Sequence, residues 1–272
     1  MTILAGVIGD PIAHSRSPRL HGHWLARHGI DGHYVPLRVA AADLDAALDL
    51  LPRLGFAGIN VTQPHKEAVF ARAAEVTERT RTVGAANTLT FRAEGGFVAD
   101  TTDGAGFVAS LRQEAPSWER TRLALVIGAG GAAAGIVAAL HDEGLPAIVI
   151  ANRTQGRAET LAARFADRVS AIPWAALPAA MEGAGLLVNA TSLGMAGHPP
   201  LDLDLAPLPA DATLADIVYA PLVTPLMASA RARGLVAVGG LGMLLHQAVP
   251  GFAAWFGIVP EVDDALRRAV LG

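Results

Sequence analysis

Residues 123–157, LALVIGAGGAAAGIVAALHDEGLPAIVIANRTQGR, constrain the fold more than any other stretch of the chain. The apolar run 123–127 reads as a buried strand, Gly128-Ala129-Gly130-Gly131-Ala132-Ala133 as a tight turn, and 132–143 as the helix that the turn opens, closed by Gly144. Glycine at 128 and 130 permits the sharp turn and the close approach of a pyrophosphate to the helix N-terminus, where backbone N–H groups favour an anion. Ala133 stands in the third, packing position. A second strand, 147–150, leads to Asn152-Arg153-Thr154, where an NAD-specific site usually carries Asp or Glu for the ribose 2′-hydroxyl. Arg153 and Arg157 stand there instead, and two guanidinium groups suit a dianionic 2′-phosphate. These residues indicate NADP(H) as the cofactor. The eighteen residues 123–140 carry no charge, the lower limit for a membrane span, but four glycines interrupt them and the strand-turn-helix context explains them better.

A chain of 272 residues accommodates two modest domains, and the central position of the nucleotide turn favours two over one. With 52% hydrophobic residues, 17% charged residues and a net charge of −4, neither disorder nor a broad phosphate-binding surface is supported, so no nucleic-acid partner is expected. The absence of cysteine removes disulfides, thiolate metal sites and a cysteine nucleophile, and is compatible with a reducing, cytoplasmic setting. The start, MTILAGVIGDPIAHS, has no basic region and breaks at Gly9-Asp10-Pro11, as a first strand does and a signal peptide does not. No membrane partner is expected.

Before residue 104, short apolar runs alternate with amphipathic ones, the pattern of an α/β unit. Strands are expected at 3–8, 34–39, 58–61 and 88–91. A hairpin turn at Gly95-Gly96 leads to a further strand at 97–99. Helices are expected at 18–27, with Ser17 as N-cap and Pro18 in the first position, and at 42–51, 67–74 and 78–83. A helix from Gly104 to about Glu114 precedes the linker Ala115-Pro116-Ser117. Strands at 169–172, 186–189, 214–218 and 235–238 continue the nucleotide-binding part, with a proline-rich loop at 198–209 and a helix at 224–233. Only helical pattern follows Leu241, interrupted at Pro250-Gly251. The expected class is therefore α/β, with an N-terminal α/β substrate and catalytic domain (1–104), a Rossmann-type NADP-binding domain (105–239) and C-terminal helices (240–272) that pack back on the first domain.

Hydride transfer to a carbonyl requires a proton donor beside the developing alkoxide, and Lys66 ends a polar segment, NVTQPHK, at a strand's end. An isolated lysine opening a helix is by default solvated. The segment Asp100-Thr101-Thr102-Asp103-Gly104 adds weight: Asp103 suits a partner of Lys66 and of a substrate hydroxyl, and equally suits a cap for the helix at Gly104. Ser15 and Ser17 offer hydroxyls for a carboxylate. Five of the nine histidines lie between His14 and His33, but His21 and His23 point to different helix faces and no carboxylate cluster accompanies them, so no metal is expected. No Gly-x-Ser-x-Gly elbow supports a serine hydrolase.

Seven segments taken together resemble the shikimate dehydrogenase family almost end to end: IAHSRSP at 12–18, NVTQPHK at 60–66, GAANTL at 84–89, TDG at 102–104, GAGGA at 128–132, NRTQGR at 152–157 and GLGMLLHQA at 240–248. The resemblance implies reversible NADPH-dependent reduction of 3-dehydroshikimate to shikimate, on the route to chorismate and the aromatic amino acids, with substrate in a cleft between the two domains. It implies Lys66 as catalytic acid/base and Asp103 as its partner, also touching substrate. Ser15, Ser17, Thr62, Asn87, Tyr219 and Gln247 match the family's substrate-binding positions. Gly128, Ala129, Gly130, Gly131, Ala132, Asn152, Arg153, Thr154 and Arg157 match its NADP loops, and Glu78, Ile217 and Gly240 match lesser cofactor-side positions. The chain departs from the usual pattern at Thr101 (commonly Asn), Gly239 (commonly Asp) and Ala134 (often Arg). Two alternatives are a sister enzyme that also oxidises quinate and a non-catalytic NADP sensor. The Ser15/Ser17 pair favours shikimate, and retention of both Lys66 and Asp103 argues against a sensor. The expected assembly is a monomer or homodimer.

The arginine pair sets a first test. Charge-assisted hydrogen bonds contribute about 1.5–3 kcal/mol each, so two of them favour NADP over NAD by roughly 10² to 10⁴ in kcat/KM. Arg153→Asp is expected to reduce kcat/KM with NADP far more than with NAD, and equal efficiency of the wild type with both cofactors would refute the reading.

Overall fold

The computed structural model describes residues 2–165 and 167–272. The chain divides into two compact units, Met1–Thr102 with Gln247–Gly272, and Asp103–His246. The expected α/β class with a parallel nucleotide-binding sheet is observed.

The first unit is built from β1 (Ile3–Gly9), α1 (Ser17–His28), β2 (Gly32–Arg38), α2 (Leu44–Arg53), β3 (Phe56–Val61), α3 (Lys66–Arg72), β4 (Glu75–Val76), α4 (Glu78–Val83), β5 (Thr88–Phe91) and β6 (Phe97–Asp100). Its sheet has the order β2-β1-β3-β5-β6-β4. β1 pairs in parallel with β2 and β3, whereas β5 runs antiparallel to both β3 and β6. Strands covered on both faces read as continuous apolar runs, which is how Ala5-Gly6-Val7-Ile8 reads. On one face Leu44, Leu48 and Leu51 of α2, a stripe at helical spacing, meet Ile8, Ile59, Val61 and Leu89 of the sheet.

The other face carries α1 and the end of α10 (Gly240–Phe256), with Leu20, Trp24, Phe252 and Trp255 buried. Trp255 lies over Gly58, where an added Cβ would come within 2.0 Å of its indole nitrogen, and that nitrogen donates to Leu89 O at 3.1 Å. The last helix, α11 (Asp264–Leu271), packs on α1. It is tied there by Trp24 Nε1 donating to Glu261 O (3.0 Å) and by Arg27 to Asp263 (2.5 Å). From Gln247 onward the C-terminal helices thus belong to the first unit, while the start of α10, expected to return from residue 240, lies in the second.

Two local expectations are corrected. Ser17 is not the N-cap of α1 but its first helical residue, and its N–H is satisfied by Ser15 Oγ at 3.3 Å, which frees the Ser17 hydroxyl from capping. α10 is not interrupted at Pro250-Gly251 but runs through both. A proline inside a helix costs about 3 kcal/mol. Burial of Phe252 and Trp255 beyond it, at about 1.5–3 kcal/mol per large apolar side chain, offsets that cost.

The second unit contains α5 (Asp103–Glu114), β7 (Leu123–Ile127), α6 (Gly131–Asp142), β8 (Ile148–Ala151), α7 (Gln155–Ala162), β9 (Val169–Ile172), α8 (Leu177–Met181), β10 (Ala184–Asn189), β11 (Thr213–Asp216), α9 (Pro225–Ala232), β12 (Val236–Gly239) and the start of α10. Its sheet is all-parallel with the order β9-β8-β7-β10-β11-β12. Numbered within the unit this is 3-2-1-4-5-6, the dinucleotide-binding order, whose direction reverses between β7 and β10. Thr224, expected as the first helical residue, is instead the N-cap of α9, its side chain accepting from Met227 N. The proline-rich loop is no surface excursion, since Leu201, Leu205 and Leu208 are buried in the core with Leu187 and Leu214. Among the described residues no helix is long and apolar enough to cross a membrane.

Helices α5 and α6 meet backbone to backbone. A Cβ at Gly104 would lie 2.1 Å from Gly135 O and 2.8 Å from Ala139 Cβ, so only glycine permits this crossing. Overpacking of a closed contact costs about 1–3 kcal/mol, and Gly104→Ala is expected to lose that much in urea unfolding. An unchanged unfolding midpoint would refute the contact.

Candidate active site

In the first unit the candidate residues gather at the C-terminal ends of β1 and β3. The loop after β1 carries Ser15 and Ser17, and Asp10 N donates to Gln63 O at 3.0 Å, joining it to the loop after β3. Thr62 N donates to Ile8 O at 2.9 Å, and Gly9 is packed so tightly on Thr62 that a Cβ there would meet Thr62 Cγ2 at 2.5 Å. Lys66 is the half-buried first residue of α3. Its carbonyl accepts from Ala86 N at 3.0 Å, and the preceding His65, buried, holds Val39 O through Nε2 at 2.7 Å. The lysine therefore stands on a turn fixed at both sides.

A buried polar network occupies the middle of this unit. Tyr34 Oη donates to Asn60 Oδ1 at 2.7 Å. Asn60 Nδ2 donates to Asn87 O at 3.1 Å and to Thr88 Oγ1 at 3.0 Å. Asn87 Oδ1 accepts from Thr88 Oγ1 (3.0 Å) and from Thr102 N (2.9 Å), while its Nδ2 donates to Thr102 Oγ1 (3.0 Å) and to Gln247 Oε1 (3.3 Å). Asn87 and Gln247, 160 residues apart, are thus brought into contact. Tyr34, Asn60, Thr88 and Thr102 escaped the sequence reading. For Asn60 the signal that could have found it is a polar residue between Ile59 and Val61 in a buried strand, since such a group is buried only when hydrogen-bonded; the local sequence carries no such signal for the other three.

His21, one of the histidines weighed as metal ligands, is fully buried against aromatic rings instead. It stacks on Tyr34 with 3.8 Å between ring centroids and 4° between planes, and meets Trp24 edge-on. Burial lowers its pKa to about 3; the Asn60 amide opposes this only weakly and falls short of hydrogen-bond geometry with either ring nitrogen. The ring is neutral at physiological pH.

Thr101 is held from the strand side. Asp100 Oδ1 accepts from Thr101 N (2.8 Å), Thr77 Oγ1 (2.7 Å) and Arg79 Nε (2.7 Å), and Arg79 also reaches Oδ2. Asp103 opens the second unit, buried at the start of α5.

In the second unit the turn after β7 has the geometry that the sequence predicts. Gly128 adopts φ +121°, and a Cβ there would also meet Ala190 O at 2.8 Å. Ala129 follows it, half-buried. A Cβ at Gly130 would meet no atom within 4 Å, so the protein's own packing does not demand glycine at that position. What glycine preserves there is close approach to the N-terminus of α6, formed by Gly131 and Ala132. After β8, Asn152 Nδ2 donates to Thr154 O at 2.9 Å and Arg157 N donates to Thr154 O at 3.0 Å. This turn presents Arg153 and Arg157, both exposed, at the start of α7. An anion-accepting helix N-terminus and two exposed guanidinium groups at the end of the second strand fit a phosphorylated dinucleotide.

Ile217 and Gly240 touch: a Cβ at Gly240 would lie 2.0 Å from Ile217 O, and Gly240 N donates to Val218 O at 3.2 Å. Tyr219 follows on the same half-buried segment. Glu78, exposed in the first turn of α4, belongs to the first unit, apart in sequence and unit from the other cofactor-side candidates.

Residues 7–89 match the model of the shikimate dehydrogenase substrate binding domain, and residues 111–195 match that of shikimate / quinate 5-dehydrogenase. Shikimate dehydrogenase (NADP(+)) of Rhodospirillum rubrum is 57% identical over 274 residues, covering 99% of this chain and 97% of its own. The chain belongs to the shikimate dehydrogenase family. Its fold is similar to that of shikimate 5-dehydrogenase from Thermus thermophilus in complex with NADP(H) and shikimate, with a TM-score of 0.88 and 36% identity over 99% of this chain and 100% of that one. It is likewise similar to quinate dehydrogenase from Corynebacterium glutamicum in complex with NAD, with a TM-score of 0.92 and 31% identity over 99% of both chains. Within the shikimate dehydrogenase family fold, the hydride-transfer chemistry read from the residues has its expected scaffold.

The Asp100 cluster carries a pH signature. Burial alone would raise its carboxyl pKa, but the hydrogen bonds from Arg79 and Thr77 outweigh burial and lower it. A lowered folded-state pKa stabilises above the unfolded value of about 4 and ceases to do so as pH falls through the folded value. The Tm deficit of Asp100→Asn relative to wild type is therefore expected to be largest near neutral pH and to shrink below about pH 4. A deficit independent of pH would refute it.

Proposed function

We propose that Lys66 is the acid/base of reversible 3-dehydroshikimate reduction to shikimate, with Asp103 orienting it. The observation that carries the reaction is family membership along almost the whole chain, at 57% identity to a shikimate dehydrogenase (NADP(+)), with NVTQPHK and TTDG intact. When bound, NADPH supplies the hydride. Gly128, Ala129, Gly130, Gly131 and Ala132 hold its pyrophosphate, and Asn152, Arg153, Thr154 and Arg157 its 2′-phosphate end, with Glu78, Ile217 and Gly240 on the cofactor side. Ser15, Ser17, Thr62, Asn87, Tyr219 and Gln247 bind the substrate carboxylate and ring hydroxyls. As negative charge develops on the ketone oxygen, the Lys66 ammonium stabilises it and then gives up the proton. In shikimate oxidation the same Nζ accepts it. Arginine is a poor replacement because a guanidinium hardly releases a proton at neutral pH.

The reaction belongs to chorismate and aromatic amino-acid biosynthesis, and we place it in the cytoplasm, without a nucleic-acid or membrane partner, in a monomer or homodimer. Shikimate is preferred over quinate, a reading supported by the Ser15/Ser17 pair and tested by comparing kcat/KM for the two acids under one cofactor. General acid/base catalysis supplies about 10² to 10⁴ in rate, so Lys66→Ala is expected to lower single-turnover hydride transfer by that factor, roughly 3–5 kcal/mol of barrier. NADP binding should persist. Near wild-type turnover by folded Lys66→Ala and Asp103→Asn would refute the assignment.

A further inference from the structure

We propose that Tyr34 is a positioning residue for substrate: its hydroxyl locks the Asn60 amide and, through Thr88, fixes the donor and acceptor faces of Asn87 and Gln247. The inference rests on the reading of Asn87 and Gln247 as substrate ligands. Tyr34 is buried, with its ring stacked on His21 and its oxygen 2.7 Å from Asn60 Oδ1. Through Asn60 the phenol links β2 to β3 and, by the further bonds of that amide, to Asn87 and Thr88.

The direction of each bond follows from proton counting. Asn87 O is a backbone carbonyl and can only accept, so the Asn60 atom facing it must be Nδ2, leaving Oδ1 to accept from Tyr34. Asn60 Nδ2 gives its other proton to Thr88 Oγ1, and Thr88 gives its single proton to Asn87 Oδ1. Thr102 N–H takes the second lone pair of that oxygen. Asn87 must then present Nδ2 to Thr102 Oγ1 and Gln247 Oε1, and the Thr102 hydroxyl is within reach of Asn87 Oδ1 at 3.2 Å and of Gln247 Oε1 at 3.5 Å. Gln247 Oε1 accepts from Asn87 Nδ2. Neither the Asn60 nor the Asn87 amide can flip alone without placing like against like.

Removing the Tyr34 hydroxyl leaves Asn60 Oδ1 buried without its donor and releases the relay at its origin. Tyr34→Phe keeps the ring stack and is expected to raise KM for shikimate about tenfold, the size of one lost buried hydrogen bond, with kcat and KM for NADP within about threefold of wild type. A lowered melting temperature with unchanged KM would mark a merely structural role and overturn the proposal. Thr88→Val cuts the same relay further along, so the double variant Tyr34→Phe/Thr88→Val should lose clearly less than the product of the two single losses, whereas Thr88→Ser should behave as wild type. Multiplying effects would overturn the proposal. Gln247→Ala separates the two readings. If it leaves KM for shikimate unchanged, the substrate assignment itself fails; if it raises KM while Tyr34→Phe does not, only the role of Tyr34 fails.

Discussion

The amide of Asn87 is the point on which the first unit's chemistry depends. The Asn87 side chain gathers the start of β5 through Thr88, the turn after β6 through Thr102 and α10 through Gln247, and its main-chain carbonyl accepts from Asn60 of β3. Asn87, Thr88 and Thr102 are buried, where an unsatisfied donor or acceptor costs about 1–3 kcal/mol. A buried network of this kind is stabilising only when complete. The strand ends are consequently held in register by the same bonds that orient the polar groups there, and geometry at the candidate site cannot be loosened without loss of folding free energy.

The second unit solves the equivalent problem at its own strand ends. Asn189, last in β10, donates to Leu193 O at 3.1 Å and Asp216 Oδ1 at 3.0 Å, and accepts from Thr191. Asp216, last in β11, accepts from Thr224 Oγ1 at 2.7 Å and Val218 N at 3.0 Å. Burial raises the Asp216 pKa despite these bonds. A raised folded-state value means that its contribution is fully present below the unfolded carboxylate range and declines as pH rises through the folded value. This cost is tolerated because the two loops it pins, 190–193 and 217–219, flank the reversal of strand order where a dinucleotide-binding sheet receives its ligand.

Much of the second unit was legible because each of its signals is local. The run 123–127, the glycines at 128 and 130 and the alternation through Asp216 dictate strand, turn and helix without reference to distant residues, whereas right-handed parallel crossovers narrow the sheet order without fixing it. The candidate site was legible through its loops, NVTQPHK and TTDG, for the same reason. What stayed hidden was non-local. Nothing near Tyr34 says that it meets Asn60, nor near Asn87 that it meets Gln247, and Pro250 looked like a helix breaker because the compensating burial of Phe252 and Trp255 is supplied by β3, β5 and α1. The misplaced Ser17 cap has a local cause. Arg16 takes the cap position with no side-chain bond while Ser15 Oγ accepts from Ser17 N, a choice that residue preferences at a cap do not decide.

The two recognition tasks therefore differ in how firmly the fold holds them. Arg153 and Arg157 are exposed, and exchanges at such positions usually change stability by no more than about 0.5 kcal/mol, so cofactor preference can shift while the fold stays intact. The residues proposed to recognise substrate hydroxyls in the first unit are fastened to a buried network in which loss of a member orphans a partner. A site built to hydrogen-bond a substrate group rejects an analogue that lacks it strongly, because its own polar atoms are left unpaired. On the proposed reading of Asn87 and Gln247 as substrate ligands, the Asn87 amide cannot flip to suit a different arrangement of donors and acceptors while Thr88 and Thr102 hold it. On that reading, discrimination between closely related ring acids resides less in the ligating atoms than in the buried groups behind them, which deny the Asn87 amide a second orientation.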